Sequence, residues 1–225
     1  MAELTINWET MTRVSPEVVK DKVVTGETPT AAETGDAAPA ATPTASDKPF
    51  MIYITDGAAA TGFDTVEKVI LEDDRVKLGS HAFHAVKMTT DDASKDPLIA
   101  EKGGKTAPRI VFVSADFKSV KALEGGTLKL GEVWGSMKAT SDKFYVQDLD
   151  GLTRELKSVL IDFDKIYKER STLDEKEKRD GDKATAADKK ELATKRADLD
   201  AREKKANDKK ESLWKLKVKG AKAAA

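Results

Sequence analysis

Lys48-Pro49-Phe50-Met51-Ile52-Tyr53-Ile54-Thr55-Asp56 places five large apolar residues in an unbroken run between polar ends. Such a run is typical of a central β-strand that is covered on both faces. A second run, Arg109-Ile110-Val111-Phe112-Val113, has the same character further along the chain. Two buried strands of this kind predict a sheet with helices packed on both of its sides.

The segments between and after these two strands complete an α/β pattern, because apolar residues recur in each at helical or strand spacing. The predicted elements are a helix from Thr65 to Leu71, a strand from Phe83 to Met88, a helix from Pro97 to Lys102, a strand from Ser119 to Leu123 and a helix from Leu128 to Met137. The order strand, helix, strand, helix, strand, strand, helix predicts an α/β sandwich over residues 49–147.

Residues 1–26 are predicted to extend this domain at its N-terminal side. Leu4 to Trp8 alternates apolar and polar residues, as a half-buried strand does, and Glu17 to Val24 follows a Ser-Pro helix start. Residues 27–48 are mostly Ala, Thr, Pro, Gly, Asp and Glu, with no large apolar residue. Such a segment cannot bury enough surface to offset its ordering entropy, so we expect a flexible linker there.

Residues 148–218 are predicted to form a charged helical region. An apolar stripe at spacings of three and four runs from Leu149 to Tyr167. Further on, apolar residues recur every seven positions with charged residues between them; they are Leu192, Leu199, Ala206 and Leu213, with Trp214 next to the last. The pattern predicts one long helix or a helical hairpin broken near Asp180-Gly181-Asp182, followed by a disordered tail at 219–225.

Three packing arrangements are open to this helical region. It can dock on its own domain, associate with another copy as a coiled coil, or stand free as a spacer stabilised by closely spaced opposite charges. A fully buried leucine contributes about 1.5–3 kcal/mol, so the distal half gains little unless a partner covers its apolar residues. We call Leu192, Leu199, Leu213 and Trp214 the assembly seam, and we expect this seam to drive oligomerisation.

Composition excludes several classes of protein. The chain has no cysteine, which removes disulfides, thiolate metal sites and cysteine nucleophiles. From Lys165 onward there are 20 Lys/Arg and 13 Asp/Glu residues, so a basic end follows an acidic body, while the whole chain has a net charge of -1. The basic end is too mixed in sign to predict nucleic-acid binding. We find neither a signal peptide nor an apolar run long enough for a membrane span, and therefore expect a cytoplasmic protein.

The stretch from Lys48 to Gly126 resembles the thioredoxin-like superfamily. The run described above matches the entering strand of that family, and Glu67-Lys68-Val69-Ile70-Leu71-Glu72-Asp73-Asp74-Arg75-Val76 matches its first helix and acidic exit. Gly103-Gly104-Lys105-Thr106-Ala107-Pro108-Arg109-Ile110-Val111-Phe112 matches the segment that contains the cis-proline of the family. The resemblance implies a thioredoxin-like α/β sandwich with a cis peptide bond at Ala107-Pro108.

The same resemblance places the redox-active quartet of the family at Ala60-Thr61-Gly62-Phe63, behind Ala59 in the tryptophan position. The redox chemistry of the family needs a low-pKa thiolate at a helix N-terminus, and neither Ala60 nor Phe63 can supply one. The resemblance still implies a peptide-binding groove formed by Ala60, Thr61, Gly62, Phe63, Ala107 and Pro108. Two alternatives are that these residues only maintain the fold, or that Phe63 fills the space and closes the groove.

No cofactor or metal is predicted. Gly103-Gly104-Lys105-Thr106 lacks the earlier glycine of a phosphate-binding loop and precedes a strand instead of following one. His81 and His84 are the only histidines, and a spacing of three along a strand would point them to opposite faces. A shared metal is therefore not expected.

The sequence favours a protein that is not an enzyme. We expect a structural, assembly or protein-interaction protein, built on a redox-inactive thioredoxin-like domain with a helical oligomerisation arm. Its partner would be another protein, a further copy of itself, or both. The alternative is a redox-accessory pseudo-enzyme or a chaperone-like peptide-binding module. The replacement of both thiol positions by Ala60 and Phe63 favours the first interpretation.

Overall fold

The computed structural model describes residues 4–9, 11, 14–15, 46–58, 60–180 and 185–219 of the chain. It has a four-stranded mixed sheet and several helices. The strands are β1 (Phe50–Ile54), β2 (His84–Met88), β3 (Arg109–Val113) and β4 (Val120–Glu124). The helices are α1 (Phe63–Thr65), which continues as a π-helix (Val66–Ile70), α2 (Asp74–Ser80), α3 (Thr90–Lys95), α4 (Pro97–Lys102), α5 (Leu130–Phe144), α6 (Leu149–Asp180) and α7 (Ala186–Trp214).

The sheet has the strand order β2-β1-β3-β4. Strand β1 pairs in parallel with β2 and antiparallel with β3, so Ile52 lies between Val86 and Val111. Strand β4 is antiparallel to β3 and forms one edge. All five residues of β1 and all five of β3 are buried. The unbroken apolar runs of the sequence therefore correspond to the two central strands.

Alternate residues of the central strands enter two separate hydrophobic cores. Met51 and Tyr53 of β1 lie in the first core, which helices α2, α5 and the start of α6 cover. Phe50, Ile52 and Ile54 lie in the second core, on the side of α3 and α4. Helices thus cover both faces of the sheet, as the sequence predicted.

The N-terminal strand prediction is wrong. Residues 4–8 form no strand, and only Glu9 makes a bridge, in parallel with Val86 of β2. Leu4, Ile6 and Trp8 pack against the first core, so their alternation reflects burial without a hydrogen-bonded ladder. The helix predicted at 17–24, most of the linker predicted at 27–48 and the tail beyond 219 lie outside the described residues.

The charged C-terminal region is a helical hairpin, one of the two arrangements that the sequence allowed. Helices α6 and α7 pack against each other. Ion pairs across the hairpin link Arg170 to Asp200, Arg202 to Glu169, and Arg196 to both Asp174 and Glu177. In these pairs the residue numbers increase along α6 while they decrease along α7, so the two helices are antiparallel.

Helix α6 docks on its own domain, which excludes the free spacer. Leu149, Leu152 and Leu156 belong to the first core. Val159 and Phe163, one to two turns further on, form a smaller cluster with Ala206 of α7. One helix therefore belongs both to the sheet-containing body and to the hairpin, which we call the arm.

The assembly seam is covered by the chain itself. Leu192 is buried and Leu199 is 2% exposed on the α7 face of the hairpin. Leu213 and Trp214 pack against the first core, where the Trp214 ring lies 4.3 Å from that of His81. The expectation that a partner must bury this seam is therefore wrong, because its residues pack against α6 and the body of the same chain.

The residues after α7 form backbone hydrogen bonds with the segment that connects α5 to α6. Tyr145 forms an antiparallel bridge with Val218, and Val146 donates its N–H to the carbonyl of Lys217 at 2.8 Å. The Lys219 N–H donates to the Phe144 carbonyl at the same distance. Within the described ranges, no helix combines the length and apolar character needed to cross a membrane.

Candidate functional site

Two segments that are distant in sequence meet at one cavity beside the first helix. The turn at Thr61-Gly62 lies on one side, and the Ala107-Pro108 loop on the other. The cavity has a volume of about 210 Å³. We call it the groove, and it is lined by Thr61, Gly62, Thr65, Val66, Thr106, Ala107, Pro108, Gly125 and Leu128.

The Thr61-Gly62 wall is built by consecutive tight turns after β1. The Ala60 N–H donates to the Gly57 carbonyl at 3.2 Å, and the Phe63 N–H donates to the Ala60 carbonyl at 3.1 Å. Gly62 then starts the helix with a φ of 90°, a left-handed conformation that favours glycine. The backbone, and not a side chain, therefore shapes this wall of the groove.

The opposite wall is the loop at Ala107-Pro108, whose peptide bond is cis, as predicted. Glu124 at the end of β4 holds this loop. One oxygen, Oε2, accepts the N–H groups of Lys105 at 2.8 Å and Thr106 at 2.7 Å. Gly104 has a φ of 75°, and a Cβ there would come within 2.8 Å of the same oxygen. Glu124 therefore fixes the position of the loop through hydrogen bonds to its backbone.

The backbone hydrogen bonds to this carboxylate also change its acidity. The Thr106 N–H lowers the pKa of Glu124, and the Lys105 N–H adds to that effect, although partial burial opposes both. Glu124 is therefore a carboxylate at neutral pH, in the state that accepts both N–H groups. Sequence reasoning missed this residue, because its role depends on contacts 18 and 19 positions away.

Ala107 lines the groove and has a main-chain N–H and carbonyl available for hydrogen bonding. Among the described residues, neither its N–H nor its carbonyl has a hydrogen-bond partner within the chain. An extended peptide can pair with free backbone groups of this kind, as strands do when they add to an exposed edge. The groove thus combines a neutral, small-residue lining with an unpaired main-chain donor and acceptor.

Four of the six predicted groove residues line the cavity, namely Thr61, Gly62, Ala107 and Pro108. Ala60 and Phe63 lie beside it and not on its wall. Phe63 therefore does not fill the groove, and the alternative in which it closes the site is wrong. Ala59 lies outside the described residues.

The histidines are placed differently from the sequence prediction. His81 follows α2, so it is not on a strand, and its ring contacts that of Trp214 at a tilt of 36°. Burial, with smaller effects from Lys48 and Lys210, lowers the pKa of His81. His84 is the first residue of β2 and contacts two carboxylates. Within the described part of the chain, no three His, Asp or Glu side chains are arranged to hold a metal ion.

None of the residues that line the groove is titratable, and the chain contains no thiol. The wall offers hydroxyl groups, the main-chain N–H and carbonyl of Ala107, and small apolar surfaces. In comparisons with descriptions of protein families, with curated proteins and with solved structures, nothing matched this chain.

Proposed function

We propose that this chain is a non-catalytic protein-interaction protein, in which a redox-inactive thioredoxin-like body binds an extended segment of a partner protein in the groove. The observation that carries the proposal is that Ala107, whose main-chain N–H and carbonyl have no hydrogen-bond partner among the described residues, lines the same cavity as the Thr61-Gly62 turn. Main-chain pairing supplies affinity for an extended segment, while the side-chain contacts supply selectivity.

The order of elements supports the thioredoxin-like part of this proposal. The parallel pair β1 and β2 is connected through helices, and the antiparallel pair β3 and β4 is followed by α5. That is the order on which the sequence resemblance rests. The turn after β1 and the loop before β3 also meet in space, as the resemblance requires.

The groove also limits the chemistry of the segment it can take. Its lining has no charge, and its apolar surfaces come from short or medium side chains such as Val66 and Leu128. A buried charge without a partner is strongly unfavourable. The bound segment should therefore place small, uncharged side chains at this point and leave any charged residues outside the groove.

A blocking substitution tests the groove. Peptides selected from a phage-displayed random library against the full chain should shift the amide NMR signals of Thr61, Thr106 and Ala107. Thr61→Trp puts a large ring at the mouth of the groove and should weaken binding at least tenfold, about 1.4 kcal/mol. The matched control Thr194→Trp, at an exposed site on α7, should bind as the wild type does.

Shifts confined to residues outside the groove, or equal losses in the two tryptophan variants, would contradict the proposal. Comparison of the amide spectra of both variants with the wild type identifies any general loss of fold. The NMR readout thus distinguishes a blocked groove from an unfolded body.

We propose assembly through the arm as a second function, because α6 leaves apolar surface uncovered on its outer side. Ile161 is 47% exposed and Tyr167 is 43% exposed, next to Leu160. Asp164 and Lys210 line the same surface, so an antiparallel second copy would present opposite charges to it, while Lys157 is already paired with Asp74 at 3.0 Å. This face replaces the assembly seam as the candidate contact between copies.

The oligomeric state tests this second function. Light scattering should give a mass above 24.4 kDa for the wild type at tens of micromolar protein. The double variant Ile161→Glu, Tyr167→Glu should return to 24.4 kDa, because it buries unpaired charge at the contact. Val146→Glu, at a 61% exposed site away from the arm, is the control. A monomeric wild type, or an unchanged double variant, would rule out this contact.

A further inference from the structure

The ring of His84 lies between two carboxylates from separate segments. Its Nδ1 is 2.9 Å from Oε1 of Glu9, in the N-terminal segment, and its Nε2 is 2.7 Å from Oδ1 of Asp47, just before β1. The side chain is 18% exposed, and the ring of Phe50 covers it at 5.1 Å between centroids. Three separate parts of the chain therefore meet at one ring.

The protonation state of the ring decides whether both contacts hold. An ionised carboxylate can only accept hydrogen bonds, so each ring nitrogen must carry a proton to satisfy its partner. Only the imidazolium has two N–H groups, while neutral imidazole donates once and turns a lone pair toward the second carboxylate. Loss of one proton therefore breaks one of the two contacts.

We infer that Glu9, His84 and Asp47 form a pH-operated clamp that fastens the N-terminal segment and the segment before β1 to the edge strand β2. The clamp is closed with His84 protonated, and it releases the Glu9 segment when His84 is neutral. Glu9 is also the residue whose N–H donates to Ala85 of β2, at 2.6 Å. Release of the Glu9 segment exposes the outer edge of β2, which can then pair with another strand. The inference does not depend on the groove.

The charged groups around the ring favour the closed state. Burial alone would lower the pKa of His84, but the hydrogen bonds and charges of Glu9 and Asp47 outweigh it and raise the pKa above 6.5. A raised folded-state pKa means that the stabilisation is complete below pH 6.5 and is lost as pH rises through the folded pKa. Release therefore occurs above pH 6.5.

Proton NMR titration of the full chain tests the clamp, because only two histidines give ring signals. His81→Gln assigns them. The His84 signal should titrate above 6.5, and Glu9→Gln and Asp47→Asn should each lower that value. A wild-type value at or below 6.5, or an effect from only one of the two variants, would overturn the clamp.

Hydrogen exchange supplies the structural readout. The protection factor of the Glu9 amide should fall as pH rises through the His84 pKa, by about tenfold for each unit by which that pKa exceeds its unfolded value. In His84→Gln this pH dependence should vanish, while His81→Gln should retain it. A pH-independent protection factor in the wild type, or an unchanged dependence in His84→Gln, would overturn the inference.

Discussion

Replacing Asp96 with alanine is expected to lower the free energy of unfolding by about 3–5 kcal/mol, because each buried N–H group left without an acceptor costs about 1–3 kcal/mol. The Asp96 side chain is fully buried, with 0% exposure. Its Oδ2 accepts the N–H groups of Val14 at 2.6 Å and Ser15 at 2.8 Å. Its Oδ1 accepts those of Leu98 at 3.0 Å and Ile99 at 3.1 Å. The Leu98 N–H can still donate to Oγ of Ser15, at 3.1 Å, but the N–H groups of Val14, Ser15 and Ile99 lose their acceptor. Urea unfolding measures the loss.

Asp91→Ala is the matched control, because Asp91 pairs only with exposed Lys95 on the neighbouring helix α3. That change should cost about 0.5 kcal/mol or less. A loss of similar size in both variants would show that Asp96 does not bind the N-terminal segment to α4.

The Asp96 cluster also predicts acid sensitivity. Burial alone would raise the pKa of Asp96, but the hydrogen bonds from Ser15, Ile99 and Val14 outweigh it and hold the pKa below 3.8. Because the folded-state pKa is lowered, the stabilisation is present above pH 3.8 and is lost as pH falls through the folded pKa. In Asp96→Ala, the unfolding free energy should change less with pH in that range.

Leu156→Ala is expected to lower the free energy of unfolding by about 2–5 kcal/mol, since it removes buried methyl groups and leaves a cavity. Leu156 is 2% exposed and packs in the first core, where α6 lies against the sheet-containing body. Urea unfolding followed by circular dichroism measures the change. The effect would show that α6 is part of the body and not an appended spacer.

Ile161→Ala, on the outer face of the same helix, separates packing from helix propensity. Ile161 is 47% exposed, so in the monomer its loss should change the unfolding free energy by about 0.5 kcal/mol or less, measured at protein concentrations too low for copies to associate. Both variants place alanine in α6, and the gain in helix propensity is a few tenths of a kcal/mol larger for Ile161→Ala, about an order of magnitude below the packing loss expected at Leu156. Similar, small effects from the two would contradict the docking of α6 on the body.

Local signals explain which elements could be predicted from the sequence. Strand β3 and helix α4 begin and end at the predicted residues. The first is an apolar run, and the second has Asp96 as its cap and Pro97 at its first position, which together mark a helix start. The alternation of apolar and polar residues from Leu4 to Trp8 led to a wrong strand prediction, because alternate residues can be buried without pairing to another strand.

Contacts between distant residues explain what the sequence could not show. The groove was found through resemblance, since nothing in the local pattern brings Thr61 next to Ala107. His84 contacts the carboxylate of Glu9, 75 positions away, and the ring of Trp214 contacts that of His81. The sevenfold spacing of Leu192 and Leu199 predicted that something must cover them, but not that α6 of the same chain does so.

Helix α6 runs without a break from the body into the arm, from Leu149 to Asp180. Its backbone amides should therefore exchange with solvent deuterium along a gradient, slowest where Leu156 lies in the first core and fastest toward Asp180. Separation of the two arm helices can proceed back to Phe163 without exposing that core, but no further. The arm is thus a unit that can open locally, and its opening stops at the point where global unfolding would begin.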